Sequence, residues 1–290
     1  MKYEGAVFRP PSEAYSLIIQ VTIGCAHNRC TFCAMYKNDR FRIRELDEII
    51  RDLKIARTTY QRVERIFLAD GDALSIPYLK LAEILVKVRE IFPECQRVGI
   101  YATPKDILRK SLEELQELRK LGLGILYMGL ESGSDQILKE IKKGVTPEQM
   151  IEAGQKAVAS GLPLSITVIS GLGGRRNWRE HAIKTGQVLS AIDPHYVGLL
   201  TLMLVEGTEM KNQVDRGQME LLSPDEIMLE TKLMLENMDV SNCVFRSNHA
   251  SNYVSLRGTL PHDKDSLIND IDRILADGDF SYRHELLRGL

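Results

Sequence analysis

Apolar and polar positions along the chain alternate in a repeating unit: a short, near-continuous apolar run, then a longer stretch with apolar residues at three- and four-residue steps. The first run, residues 16–23, is rich in β-branched and long aliphatic side chains and predicts a strand ending at Gly24. From Leu46 the positions Leu46, Ile49, Ile50, Leu53 and Ala56 share one face of a helix running to about Thr59, and Asp47 and Glu48 suit its positive N-terminal end. A strand over 65–69 and a helix over 78–92 repeat the unit. The next pair is a strand over 98–102, stopped by Thr103-Pro104, and a helix over 111–121 that opens with the capping-box pair Ser111 and Glu114 and ends at Gly122. A strand over 125–130 precedes helices over 134–142 and 147–160, the latter with Pro147 in its first turn. A strand over 164–170, a helix over 178–190 and a strand over 196–202 complete the series. Beyond Leu222 the pattern changes to a helix from Ser223 to about Met238, a polar irregular stretch over 243–252, and a helix over 264–276.

Strands this uniformly apolar have no wet face. They predict a parallel sheet buried on both sides and crossed over by helices, closed as a barrel or left open as a doubly wound sheet. The stretches that break the pattern, at 24–33, 70–72, 103–104, 131–133, 171–174 and 205–208, all follow strands. In a (β/α) barrel such loops converge on one rim, where active sites form, and this favours the barrel.

Composition changes the picture little. The chain has 290 residues, 44% hydrophobic and 27% charged, within reach of one large globular domain. A formal net charge of -2 provides no global basic field for nucleic acid, so no nucleic-acid partner is expected. The first residues carry no apolar signal segment, and no run approaches the roughly 18 apolar residues of a membrane span, so the expected location is cytoplasmic, without a membrane partner. Five cysteines, three of them clustered, fit metal ligation in a reducing compartment better than a disulfide framework.

That cluster, Cys25, Cys30 and Cys33, follows the first strand directly. Buried structural cysteines are scattered singly, so a thiol-dense loop reads as a metal site. Structural zinc would need a fourth ligand, and Cys95 and Cys243 stand alone, although His27 could serve. Redox chemistry of the Cys30-x-x-Cys33 pair is a further alternative. A [4Fe–4S] cluster on three thiolates would keep one iron open for a substrate or cofactor.

At Cys25, Cys30, Phe32 and Cys33 the sequence resembles the radical S-adenosylmethionine (SAM) superfamily, whose Cys-x3-Cys-x-aromatic-Cys loop follows the first strand of a partial (β/α)6 barrel. This chain has four residues between Cys25 and Cys30 where the family usually has three. Asp70-Gly71-Asp72 is similar to the family's Gly-Gly-Glu turn, whose backbone receives the amino group of SAM. The segment 129–135, with Ile141-Lys142-Lys143-Gly144 and Thr146 behind it, resembles the fourth-strand segment of the Elp3/MiaB/oxygen-independent coproporphyrinogen oxidase group. By that resemblance Glu131 and Ser132 lie near the ribose and methionine parts of SAM, and Ile169 to Gly173 is similar to the fifth-strand Gly-x-Ile-x-Gly segment that packs against adenine.

The resemblance implies an α/β fold, a partial (β/α)6 TIM-type barrel over 1–222 with a C-terminal α-rich extension, 223–290, packed on the same domain. It implies a [4Fe–4S] cluster on Cys25, Cys30 and Cys33, SAM bound through Asp70, Gly71, Asp72, Glu131, Ser132, Ile169 and Gly171, and an external one-electron donor such as flavodoxin or ferredoxin. The expected activity is reductive cleavage of SAM to methionine and a 5′-deoxyadenosyl radical that takes hydrogen from a small-molecule substrate. A coproporphyrinogen-type oxidative decarboxylase and a non-catalytic zinc or iron–sulfur protein are the alternatives. Arg246, Asn248, His249, Asn252 and Tyr253 form a second concentration of polar groups, read as substrate contacts against the simpler reading of a surface loop. No cobalamin-binding domain or RNA-binding tail is legible, which turns the expectation away from tRNA methylthiolation.

Overall fold

The computed structural model describes residues 1 and 3–289. They form two compact units, one of Met1–Asn28, Met35–Met128 and Lys156–Leu164, the other of Arg29–Ala34, Gly129–Gln155 and Ser165–Leu290.

The first unit contains β1 (Leu17–Gln20), β2 (Thr22–Ile23), β3 (Arg42–Ile43), α1 (Leu46–Thr59), β4 (Arg65–Ala69), α2 (Tyr78–Ile91), β5 (Arg97–Ala102), α3 (Pro104–Arg109), α4 (Leu112–Lys120) and most of β6 (Leu123–Glu131). Strands β1, β4, β5 and β6 pair in that order, all parallel, as continuous apolar runs require. Ile66, Phe67, Leu68 and Ala69 of β4 are all fully buried. Phe67, Tyr101 and Tyr127 meet edge to face, with centroids 4.9 to 6.3 Å apart. Near the N-terminal ends of the strands, Glu13 is wholly buried and accepts from Arg97 Nη2 at 2.6 Å and Tyr127 OH at 2.5 Å, and also from Ser16 Oγ. A carboxylate is tolerated there because a charge and two hydroxyls satisfy it.

The second unit takes the end of β6, α5 (Asp135–Glu140), most of α6 (Pro147–Ala159), β7 (Leu164–Ser170), α7 (Gly174–Ile192), β8 (Tyr196–Thr201), α8 (Glu209–Asp215), α9 (Pro224–Glu236), β9 (Cys243–Arg246), β10 (Arg257–Leu260) and α10 (Lys264–Ala276). Strands β7, β8 and β9 are parallel, and β10 returns antiparallel on β9. Residues 223–289 belong to this unit together with most of β7, α7 and β8, and no division falls at residue 222.

The βα alternation is present as the pattern predicts, with four local differences. The first strand breaks at Val21, and Thr22–Ile23 turns away to pair antiparallel with Arg42–Ile43. Residues 243–246 are a strand, because Val244 and its neighbours align on β8 between polar residues that conceal the run. Helix α7 starts four residues earlier than its apolar spacing suggests, at Gly174, where the Arg175 amide donates to Glu220 O at 2.9 Å. Helices α3 and α8 are too short for periodicity to reveal and are set by the caps Thr103 and Thr208, each accepting from an amide of its own first turn.

Candidate functional site

The pairing of β2 with β3 staples the base of the cysteine loop. Next to it, the Asp70-Gly71-Asp72 turn after β4 is bound to that loop by the Asp70 carboxylate. Asp70 is 1% exposed; its Oδ2 accepts from Gln20 Nε2 at 3.0 Å and the Gly24 amide at 3.3 Å, and its Oδ1 accepts from Tyr36 OH at 3.0 Å. The Ala26 amide favours the charged form of Asp72, while Asp70 holds the Gly24 amide just before Cys25. Burial raises the pKa of Asp70 against the pull of its three donors. In Asp72, burial and the neighbouring carboxyl of Asp106 push the value up to about 8. Asp72 Oδ1 has no hydrogen-bond partner among the described residues. Gly71 is required by close approach: a β-carbon there would stand 2.5 Å from Cε2 of Tyr36.

Cys25, Cys30 and Cys33 are partly buried. Cys25 falls in the first unit; Cys30 and Cys33 fall in the second, where the Cys33 amide donates to Cys30 O at 3.4 Å. Among the described residues no three His, Cys, Asp or Glu side chains are already gathered as a metal site. Three thiols are nevertheless the soft donor set that iron–sulfur clusters take, and Asp70 holds the backbone just before Cys25.

In the second unit Glu131, at the end of β6, is 8% exposed and has φ 64°, a left-handed conformation costly for a side chain of this size and concentrated at functional sites. Its Oε1 accepts from Lys143 Nζ at 2.8 Å, while buried Oε2 has no partner among the described residues. The carboxylate occupies the space that a side chain at Gly129 would fill. A buried carboxylate oxygen left over in this way suits the hydroxyls of a ribose. Ser132 is fully buried with its hydroxyl on His181 Nδ1 at 2.8 Å, and Ile169 O, at the end of β7, receives the other ring nitrogen at 3.1 Å. The Gly171 amide donates to Glu230 Oε1 at 2.8 Å. The structure thus gathers Ser132, Ile169 and Gly171 around two buried side chains, His181 and Glu230, that carry no recognisable spacing in the sequence.

The polar segment near residue 250 divides. Asn252 is a scaffold residue: its amide donates to Leu199 O and Ser247 O at 2.8 Å, and its oxygen accepts from Thr201 Oγ1 at 2.8 Å. Tyr253 lies under the guanidinium of Arg288, 4.1 Å from its ring, and bonds Arg288 Nη1 at 2.6 Å. Arg246 donates to Phe245 O at 3.0 Å, and His249 Nδ1 meets Ser251 Oγ at 2.9 Å. Asn248 is exposed.

The family model for the radical SAM superfamily matches residues 19–185, more than half of the chain. A putative methylthiotransferase of Methanocaldococcus jannaschii is 27% identical over 158 residues, covering 52% of this chain and 34% of the relative. The chain spans about a third to a half of the length of the curated relatives it matches. Among solved structures, the radical SAM methyltransferase TsrM from Kitasatospora setae, with cobalamin and a [4Fe-4S] cluster bound, aligns with TM-score 0.57 at 21% identity over 70% of this chain and 39% of its own. Methylornithine synthase aligns with TM-score 0.55 at 17% identity over 93% of this chain and 74% of its own. At these identities the likeness is one of fold, and it bears out the α/β, TIM-type barrel class. The chain belongs to the radical SAM superfamily.

Proposed function

We propose that this chain is a radical SAM enzyme that holds a [4Fe–4S] cluster on Cys25, Cys30 and Cys33, with SAM at the iron those thiolates leave open. The observation that carries this reading is the family match over 19–185, which takes in the cysteine loop, the turn at 70–72, the segment at 129–135 and the end of β7 together. The chemistry the bound pair supplies is reductive cleavage of the sulfonium carbon–sulfur bond, giving methionine and a 5′-deoxyadenosyl radical that takes hydrogen from a small-molecule substrate. The chain's own residues bind and orient. Asp70 holds the backbone just before Cys25, and Gly71 offers backbone to the amino group of SAM. Glu131, fixed by Lys143, presents Oε2 to the ribose. Ile169 and Gly171 present hydrocarbon to adenine, their carbonyl and amide being taken by His181 and Glu230. The electron comes from an external donor of the flavodoxin or ferredoxin kind.

Anaerobic reconstitution tests this. Iron and sulfide near four per chain, with 5′-deoxyadenosine released from SAM only in the presence of reductant, are the expected results. One zinc per chain and no SAM cleavage would refute the proposal.

A further inference from the structure

The turn after β6 and the end of β7 are held by side chains that belong to neither. Along one face of α7, Glu180 Oε1 accepts from Ser134 Oγ at 2.7 Å, His181 Nδ1 meets Ser132 Oγ at 2.8 Å, and Thr185 Oγ1 accepts from the Gly133 amide at 2.9 Å. The turn sits so tightly on the helix that a β-carbon on Gly133 would lie 2.6 Å from Thr185 Cα. The same imidazole reaches β7 through Nε2, 3.1 Å from Ile169 O, and Glu230 on α9 takes the Gly171 amide at 2.8 Å. His181, Thr185 and Glu230 are 1%, 0% and 2% exposed.

The donor pattern is determined. A carbonyl only accepts, so Nε2 of His181 carries the proton and Nδ1 accepts from the Ser132 hydroxyl. Burial pushes the imidazole down to about 4 and the Glu230 carboxyl up to about 8, so both are uncharged near neutrality. Breaking one of these buried bonds leaves its polar partner unmet, at a cost of about 1–3 kcal/mol. The two backbone segments therefore keep one relative arrangement.

We propose that His181, Thr185 and Glu230 are positioning residues for the nucleoside half of SAM, fixing Ser132-Gly133 and Ile169 to Gly171 as one preorganised surface for adenosine. This rests on the reading that those two segments face SAM. It makes α9, from the C-terminal part of the chain, a component of the cofactor site rather than an appendage.

The test uses the full chain with its cluster reconstituted, equilibrium dialysis with SAM and separately with methionine, and iron and sulfide content. Thr185→Val and Glu230→Leu should each weaken SAM about tenfold while methionine affinity and iron content stay at the parent's values. Glu230→Gln, whose side-chain carbonyl still accepts the Gly171 amide, should stay within about threefold of the parent. Ile169→Trp crowds the expected adenine surface and should also weaken SAM. Parental SAM affinity in Ile169→Trp overturns the underlying assignment of these segments. Parental affinity in Thr185→Val and Glu230→Leu beside a weakened Ile169→Trp overturns the positioning role alone. Equal losses for SAM and methionine, or losses that follow iron content, also overturn it, since general destabilisation moves all three. Should Glu230→Leu not fold, Thr185→Val, nearly isosteric, decides the matter.

Discussion

Asp70 and Asp72 stand two residues apart, and burial has different consequences for them. Asp70 has a donor for every hydrogen bond it makes and acts as a clasp on the cysteine loop. In Asp70→Asn an NH2 group must face one set of those donors, so we expect about 1–3 kcal/mol of lost stability and lower iron retention, read by chemical denaturation and iron analysis. Glu230 gives a pH prediction of definite sign. Its pKa rises from 4.5 unfolded to about 8 folded. The folded state therefore holds the extra proton between those values, and the stability tied to that proton is present at low pH and lost as pH rises through this window. Glu230→Gln has no proton to lose, so urea midpoints of the parent relative to this variant should fall from pH 5 to pH 8. His181 acts oppositely: its folded value near 4 means that its contribution is present above 6.5 and is lost as pH falls toward 4.

At the scale of elements, short pieces outside the repeat fix how the long ones meet. The turn carrying Glu13 ties β5 to β6 through Arg97 and Tyr127. Glu13→Ala would remove the shared acceptor of Arg97 and the Tyr127 hydroxyl, which keeps Ser12 Oγ at 2.9 Å, and a loss of about 1–3 kcal/mol is expected in thermal or urea unfolding. Helix α9 opens with a capping box in which Ser223 and Glu226 satisfy each other's amides. Ser223→Ala should cost about 1 kcal/mol and, because α9 carries Glu230, should weaken SAM binding more than a cap of the same strength on α4. Downstream of α10, Arg283 donates to the carbonyls of His249, Ala250 and Asn252, and Arg288 to those of Ser251 and Leu202. Arg283→Ala should open the 249–252 segment to limited proteolysis while the βα core keeps its melting temperature.

For the whole molecule, the cysteines separate by role. Cys25, Cys30 and Cys33 are partly buried in one loop, whereas Cys243 is fully buried in β9, where desolvation pushes its thiol up to about 12, and Cys95 is likewise raised by burial. Alanine at any of the first three should abolish cluster loading and SAM cleavage together, whereas Cys95→Ala should keep full iron content. A thiolate has to form to bind iron, and the two remaining cysteines stand where that is disfavoured. Among the described residues no helix is long and apolar enough to cross a membrane.

The sequence by itself determined the repeating βα order, the parallel pairing and the thiol-dense loop, because apolar periodicity and thiol spacing are local properties of the chain. Cys25, Cys30, Cys33 and the Glu131-Ser132 turn were legible for the same reason. Only tertiary structure decided which groups surround them. His181, Thr185 and Glu230 come from helices distant in sequence, and nothing in their spacing marks them as partners of Ser132, Gly133 and Gly171. Asn252 looked like a substrate contact because polarity in a loop does not reveal burial, and three internal hydrogen bonds make it a scaffold residue. The strand at 243–246 was hidden likewise, since a short strand is specified by its neighbours on the sheet rather than by its own residues.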